Sequence, residues 1–289
     1  MLERLARPLR GLVDGIAGAM DAFYRVLGRP GKLLQDLLNG SWLGHSLHAT
    51  LTDVVIGSAT AALLLDVLRV VFAVEGLETA TTWVMGLAWL AGVGSIVTGL
   101  TDFKDSTPSS SLRDLAGLHG IVNFVGTGGF AYSFLSRLNG AHDAAFWGLL
   151  VGYVVISVGS FVGGHVVFKY GYMVNYNAFT KKKRVKEFTP VLAASDLAEA
   201  TPTKASLGSI GIVLVRRGDV VHALRDSCSH AGGPLAEGTL RGDAIECPWH
   251  FSVFRLSDGA VRHGPASTAQ PAYEARINAG QVEVRGPRT

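Results

Sequence analysis

The chain has 289 residues, of which 48 % are hydrophobic and 17 % charged, and its mean hydropathy is +0.30. Such values exclude a chain that is soluble throughout and point to stretches long enough to span a membrane. A net charge of +3 is too small to argue for a nucleic-acid partner, and two cysteines cannot build a disulfide framework.

Residues 1–44 mix Leu, Val and Ile with Arg4, Arg7, Arg10, Arg25, Arg29 and Lys32 at helical spacing. An amphipathic helix is expected, lying on a membrane surface or packed on the rest of the protein. The first thirty residues contain no apolar signal-peptide core, so no signal peptide is expected.

Four apolar segments follow, at 49–74, 79–101, 115–138 and 144–168. Each reaches the roughly 20 residues that cross a bilayer core. Residues 45–175 therefore read as an all-α four-helix transmembrane bundle. Asp66 and Arg69, three apart on one helix, read as an ion pair. The fourth segment carries Gly148, Gly152, Gly159 and Gly163 on one face. That face is expected to pack closely against another helix, of this chain or of a second copy in a homodimer.

His48, His119 and His165 fall near the same end of their spans. Ionisable residues within spans are functional candidates, so these three form a candidate second redox site. In its sharpest form, His48 and His119 are axial ligands of haem b, with His165 as the alternate ligand or a hydrogen-bonding neighbour. The rival is a polar network with Asp53, Asp102 and Asn123.

Lys and Arg concentrate at the N-terminus, at Lys104, Arg113 and Lys169, and in the run Lys181–Arg184. The opposite ends of the spans hold little beyond Arg69 and Arg137. The bias places both termini in the cytoplasm, with residues 176–187 as a basic linker. The expected location is the inner cell membrane, multi-pass, with a cytoplasmic C-terminal domain.

Residues 188–289 alternate in short runs separated by Gly and Asp turns, as in GIVLVRRGDVVHALRD. A small all-β domain is expected. Within it lie both cysteines, as Cys228-Ser-His230 and Cys247-Pro-Trp-His250. Two thiolates and two imidazoles fit a tetrahedral zinc site, or a [2Fe–2S] cluster with two Cys on one iron and two His on the other. Each loop presents sulfur first and nitrogen second, whereas zinc fingers more often pair like with like. That order favours the cluster.

The segment CSHAGGPL…CPWH, followed by HGPA at His263–Ala266, resembles the Rieske [2Fe–2S] family over about residues 186–289. The resemblance implies that Cys228 and Cys247 bind the inner iron, that His230 and His250 bind the outer one, and that Pro265 lies in a loop covering the cluster. Gly232, Gly233 and Pro234 are expected to let backbone amides approach the sulfides. Three departures stand out. No extra cysteine is present, Phe251 stands where a glycine is usual, and Phe254 stands where high-potential members have a tyrosine. Ser252 is retained as a donor. The missing tyrosine hydroxyl implies a lower reduction potential.

The stretches LGHSLHATLTDVVIGSATAALLLDVL, GLTDF, LHGIVNF and GGHVVFKYG resemble the uncharacterised four-helix membrane family DUF2231 over about residues 40–175. Its usual His-Pro-x-His opening is His45-Ser-Leu-His48 here, without the proline.

These readings combine into a membrane-anchored carrier of single electrons between a cytoplasmic donor and a membrane, haem or quinone partner, rather than a stand-alone enzyme. The sequence names neither donor nor acceptor. Two other classes stay open: the ferredoxin component of a separate oxygenase, and a redox or nitric-oxide sensor. A catalytic oxygenase subunit is not expected, because the residues after His250 are too few for a mononuclear iron domain.

Overall fold

A computed structural model describes residues 2–178 and 185–288. The basic run Lys181–Arg184 lies outside the described residues. The chain divides into two compact units, residues 1–31 with 46–170 and residues 32–45 with 171–289.

In the first unit a short helix α1 (Leu2–Ala6) precedes five long ones: α2 (Arg10–Asn39), α3 (Leu47–Phe72), α4 (Glu78–Phe103), α5 (Ser111–Leu138) and α6 (His142–Phe168). The four expected spans are thus four helices at nearly the expected positions, with α2 as a fifth. Local chemistry sets their ends. The Ser110 hydroxyl accepts the Arg113 amide at 3.1 Å and opens α5. Ala73, at φ 52°, turns the chain left-handed and closes α3 with a bond to the Leu68 carbonyl. α2 kinks at Gly28, at φ 58° and ψ −129°, two residues before Pro30. Proline supplies no amide to the helix ladder, so the break is placed there by sequence. Residues 32–39, beyond the kink, belong to the second unit.

The amphipathic N-terminal segment packs on its own unit. Val13 and Ala17 are buried with Phe103. The Tyr24 hydroxyl bonds Thr101 at 2.7 Å, and Arg10 Nε donates to Asp114 at 3.1 Å. Its other face leaves Leu12, Phe23 and Val26 exposed.

α3 packs on α4, α4 on α5 and α5 on α6, and a lighter α3–α6 contact closes the ring. The α5–α6 seam runs antiparallel along its length. Gly163 meets His119 near one end, Gly129 meets Gly152 in the middle, and Gly148 meets Tyr132 near the other. A Cβ on Gly129 would stand 2.9 Å from the Gly152 Cα, so the two backbones touch. The glycine face of α6, expected to meet either a helix of this chain or a second copy, is filled by α5.

Among the described residues, three helices, α3, α4 and α6, are long and apolar enough to cross a membrane. The third expected span, α5, is as long but more polar. It carries Arg113, Asp114, His119, Asn123 and Arg137.

The expected Asp66–Arg69 pair is present at 3.8 Å, and Arg137 joins it. The Arg137 guanidinium binds the Asp66 carboxylate through both terminal nitrogens, one bond being 3.1 Å, and both side chains are wholly buried. Arg69 Nε stays 3.8 Å from Asp66, and its terminal nitrogens turn to Asp143 and the His142 carbonyl. The reason is geometric: a guanidinium arriving from another helix presents its planar fork, which a neighbour three residues along cannot do as well.

The second unit is a β structure. A six-stranded sheet has the order β1 (Val185–Ala193), β10 (Gln281–Gly286), β9 (Ala272–Asn278), β4 (Val220–Arg225), β3 (Ile210–Arg217), β2 (Thr203–Leu207). A four-stranded sheet runs β5 (Thr239–Arg241), β6 (Ala244–Glu246), β7 (Val253–Arg255), β8 (Val261–His263). Neighbouring strands within the two sheets pair antiparallel. The expected β3–β4 hairpin is present, with Gly218 at φ 59° in its turn. Strand β3 faces two cores. Ile212 and Leu214 pack with Val221, Tyr273 and Val282, whereas Val213 and Val215 pack with Leu224, Ile245 and Phe254. Each such buried side chain contributes about 1.5–3 kcal/mol. The second core also holds Cys228 and Cys247.

Replacing Arg137 with Met should leave the buried Asp66 carboxylate with only the longer contact to Arg69. The expected cost is about 3–5 kcal/mol, read as a lowered unfolding midpoint in detergent. The double variant Asp66→Leu/Arg137→Met should recover most of it. An unchanged midpoint for Arg137→Met alone would refute this view of the pair.

Candidate metal centre

Two loops of the second unit carry the expected ligands. The first follows β4. The Cys228 amide donates to the Gly233 carbonyl at 2.9 Å, and the Gly232 amide returns to the Cys228 carbonyl at 2.8 Å. The second leaves β6. The Cys247 amide donates to the Ser252 carbonyl at 2.8 Å, and the Phe251 amide to the Cys247 carbonyl at 3.1 Å. Both loops are therefore closed turns, each beginning at a cysteine.

The four side chains sort into two pairs. Cys228 and Cys247 are buried and their thiols hydrogen-bond each other. Sharing a proton with Cys228 draws the Cys247 thiol down to about 7, while the same contact and burial push Cys228 up. The imidazoles of His230 and His250 form the second pair, with ring centres 4.9 Å apart and planes at 87°. His230 is buried and His250 half-buried. Among the described residues, no three His, Cys, Asp or Glu side chains converge on one point.

The amides aimed at the sulfurs come from residues that sequence reasoning did not single out. His230 and Ala231 donate towards Cys228, and Trp249 and His250 towards Cys247. The Gly232 amide, expected to face a sulfide, instead closes its own turn. Gly233 acts through its missing side chain. A Cβ there would lie 2.8 Å from the Cys247 sulfur and 3.1 Å from the Trp249 ring. Phe251 adopts φ 62°, a left-handed backbone that favours glycine. That conformation accounts for the glycine usual at this position.

Ser252 and Pro265 lie where the covering loop meets the ligand loops. The Ser252 hydroxyl accepts the Ala266 amide at 3.0 Å, which leaves its proton to donate elsewhere. Pro265 and Ala266 border His230 across a gap of about 10 Å³. Phe254 is fully buried in the core that contains both cysteines.

Four further anchoring residues were not legible in the sequence. Gln270, itself buried, accepts the Ser229 amide at 2.9 Å and donates to the Arg225 and Ser227 carbonyls. Tyr176 and Asn177, at the start of the expected linker, bond Ser229 and Ser227 of the first ligand loop. Asp36, from the last turns of α2, accepts His263 Nδ1 at 2.6 Å and the Gly264 amide at 2.8 Å. His263 thus helps to hold the covering loop. None of these contacts has a sequence signal, because each joins residues far apart in the chain.

In the first unit the structure brings His48 and His119 together, with ring centres 6.2 Å apart. His165 is turned to its own helix, bonding the Phe161 carbonyl at 3.2 Å and packing on the Phe161 ring. Of the rival polar network, Asn123 contacts His119 and Asp102 accepts from Ser46, while Asp53 is exposed.

Residues 187–274 match the Rieske [2Fe-2S] domain, and residues 44–176 match DUF2231, a predicted membrane protein family. Ferredoxin CarAc of Metapseudomonas resinovorans is 34 % identical over 99 residues, which cover 34 % of this chain and 92 % of that ferredoxin. The chain belongs to the Rieske family. The anthranilate 1,2-dioxygenase ferredoxin subunit of Burkholderia cepacia is 34 % identical over 98 residues, covering 34 % of this chain and 91 % of its own. A solved complex of reduced oxygenase and oxidised ferredoxin in carbazole 1,9a-dioxygenase matches at 33 % identity and a TM-score of 0.33, covering 35 % of this chain and 95 % of that one. These matches concern the Rieske domain, which implies a [2Fe–2S] cluster and electron transfer. The chain also contains a membrane domain of the DUF2231 family.

Gly233→Ala should disturb the Rieske centre without unfolding the domain. The added methyl must displace either the Cys247 sulfur or the Trp249 ring, both close to where it would sit. Iron per chain should fall at least several-fold while far-UV circular dichroism stays unchanged. Full iron content would show that the loop relaxes freely.

Proposed function

We propose that Cys228 and Cys247 hold the inner iron of the cluster and His230 and His250 the outer one. The protein then works as a membrane-anchored Rieske carrier, passing single electrons between a cytoplasmic donor and a partner in or at the membrane. The observation that carries this reading is the pairing of sulfur with sulfur in the buried core and of imidazole with imidazole on the same two loops. The cluster supplies the redox chemistry. The chain supplies the ligands, the amides aimed at sulfur, and a covering loop held by Ser252 and Asp36. The working boundaries are an N-terminal segment at 1–44, a membrane domain at 45–175, a linker at 176–187 and a Rieske domain at 188–289.

The membrane domain is proposed to cross the bilayer four times. α5 is joined to its neighbours by short loops and runs antiparallel along α6. If α4 and α6 cross, α5 must cross between them, its polar side chains turned to protein rather than lipid. An even number of crossings keeps both termini on one side, and the basic residues make that side cytoplasmic. The pair His48–His119 is proposed as a second redox site in this domain, with haem b as its candidate group.

A second reading rests on the two dioxygenase ferredoxins at 34 % identity. In it, the Rieske domain serves a separate oxygenase. Electron delivery to a membrane quinone or haem, with none to an added Rieske oxygenase, separates the two.

Electron paramagnetic resonance of the reduced protein should give the low average g value of mixed Cys/His ligation. Stoichiometric zinc without iron in native protein would overturn the ligand assignment. The potential should lie in the lower half of the Rieske span of about −150 to +300 mV. Phe254→Tyr should raise it, because the new hydroxyl enters the core that holds both cysteine sulfurs.

A reporter fused to the C-terminus should be active only in the cytoplasm. Activity of a periplasm-dependent reporter there would reverse the topology.

A further inference from the structure

His48 lies on α3 and His119 on α5, helices at opposite corners of the four-helix ring. Each ring is fixed by a third helix. His48 Nδ1 lies 2.9 Å from the Ser95 carbonyl on α4, and His119 Nδ1 lies 2.8 Å from the Gly159 carbonyl on α6. A carbonyl only accepts, so each Nδ1 carries the proton and each Nε2 presents a lone pair. This is the tautomer in which a metal-ligating histidine is held by its surroundings.

Both rings also rest on glycine. A Cβ on Gly99 would lie 3.0 Å from the His48 ring, and one on Gly163 would lie 2.7 Å from the His119 ring. Asn123 adds a further constraint, its amide donating to the His119 carbonyl at 2.8 Å and standing 3.0 Å from Nδ1 and 3.3 Å from Nε2. These contacts fix the two imidazoles relative to each other.

The ring centres are 6.2 Å apart, with planes at 89°. A direct bond of about 2.9 Å between ring nitrogens would bring the centres to about 5 Å. Two metal–nitrogen bonds of about 2 Å each would place them about 6 Å apart. The observed spacing matches a metal between the rings. Two donors are too few for a bare ion, since structural and catalytic zinc sites take three or four protein ligands. Among the described residues, no third His, Cys, Asp or Glu converges on the pair. A metal that brings its own four in-plane nitrogens needs two axial donors and no more, and its apolar macrocycle suits a ring of apolar helices.

Resting on the electron-carrier reading and naming the group at its membrane site, we infer that His48 and His119 are the axial ligands of a b-type haem. Asn123 and the Ser95 and Gly159 carbonyls position them. His165 takes no part, its ring being held against Phe161.

The test uses the full chain, purified in detergent and titrated with haemin. Wild type should bind one haem per chain and show a low-spin b-type α band on reduction. His48→Ala and His119→Ala should each lose the band at least tenfold, with the Rieske resonance per chain unchanged. His119→Gly should regain the band when free imidazole is added, which a merely unfolded variant would not do. His165→Ala should keep it. A wild-type protein with a full cluster and no haem uptake overturns the site and leaves the Rieske reading intact. Haem retained at full stoichiometry in both His48→Ala and His119→Ala also overturns it. Haem bound by a chain that never holds the cluster would instead sink the carrier reading and leave this site standing.

Discussion

Two thiols buried against each other in an apolar core form the constraint on which the second unit is built. Charge on sulfur in such a place is costly unless dipoles are fixed around it before it appears. The chain meets that need by starting a closed turn at each cysteine, so that the amides two and three residues on face back towards the sulfur. Everything nearby serves the shape of those turns. Gly233 keeps clear of Cys247, Phe251 accepts a left-handed backbone, and Gln270 ties the first loop to β4 and to the chain entering β9. The two sheets supply the apolar walls.

In the imidazole pair, His230 is buried and His250 half-buried, so this pair is more open than the sulfurs only on the His250 side. The covering loop limits that exposure on one side. Its position depends on Ser252 from the second ligand loop and on Asp36 from the last turns of α2. A segment that begins as part of a helix packed on the membrane domain therefore ends as part of the metal-centre unit.

In the membrane unit the same economy of buried polarity holds. Close helix contact is made by glycines, and the polar side chains that remain are paired. Arg137 satisfies Asp66, Arg10 satisfies Asp114, and the two histidines donate to carbonyls of adjacent helices. Without solvent, each of these groups must find its partner in protein. The more polar composition of α5 follows, since it supplies most of those partners.

The sequence by itself determined the two-part organisation, the helix positions, the β nature of the C-terminal third and the four candidate ligands. These depend on local pattern: apolar runs of membrane length, alternation with Gly/Asp turns, and two Cys/His loops whose spacing is chemical. The tertiary structure decided what joins distant residues. It added Arg137 to the Asp66–Arg69 pair, set α5 against the glycine face of α6, and chose Asp36 for His263. It sorted the ligands into a sulfur pair and an imidazole pair. It also separated His165 from His48 and His119, which share one end of the bundle in the sequence but not one direction. Local periodicity specifies which side of a helix or strand a residue occupies. Only packing specifies what stands opposite, and partner identity, unlike helix position, is set by chain segments that a local pattern never sees.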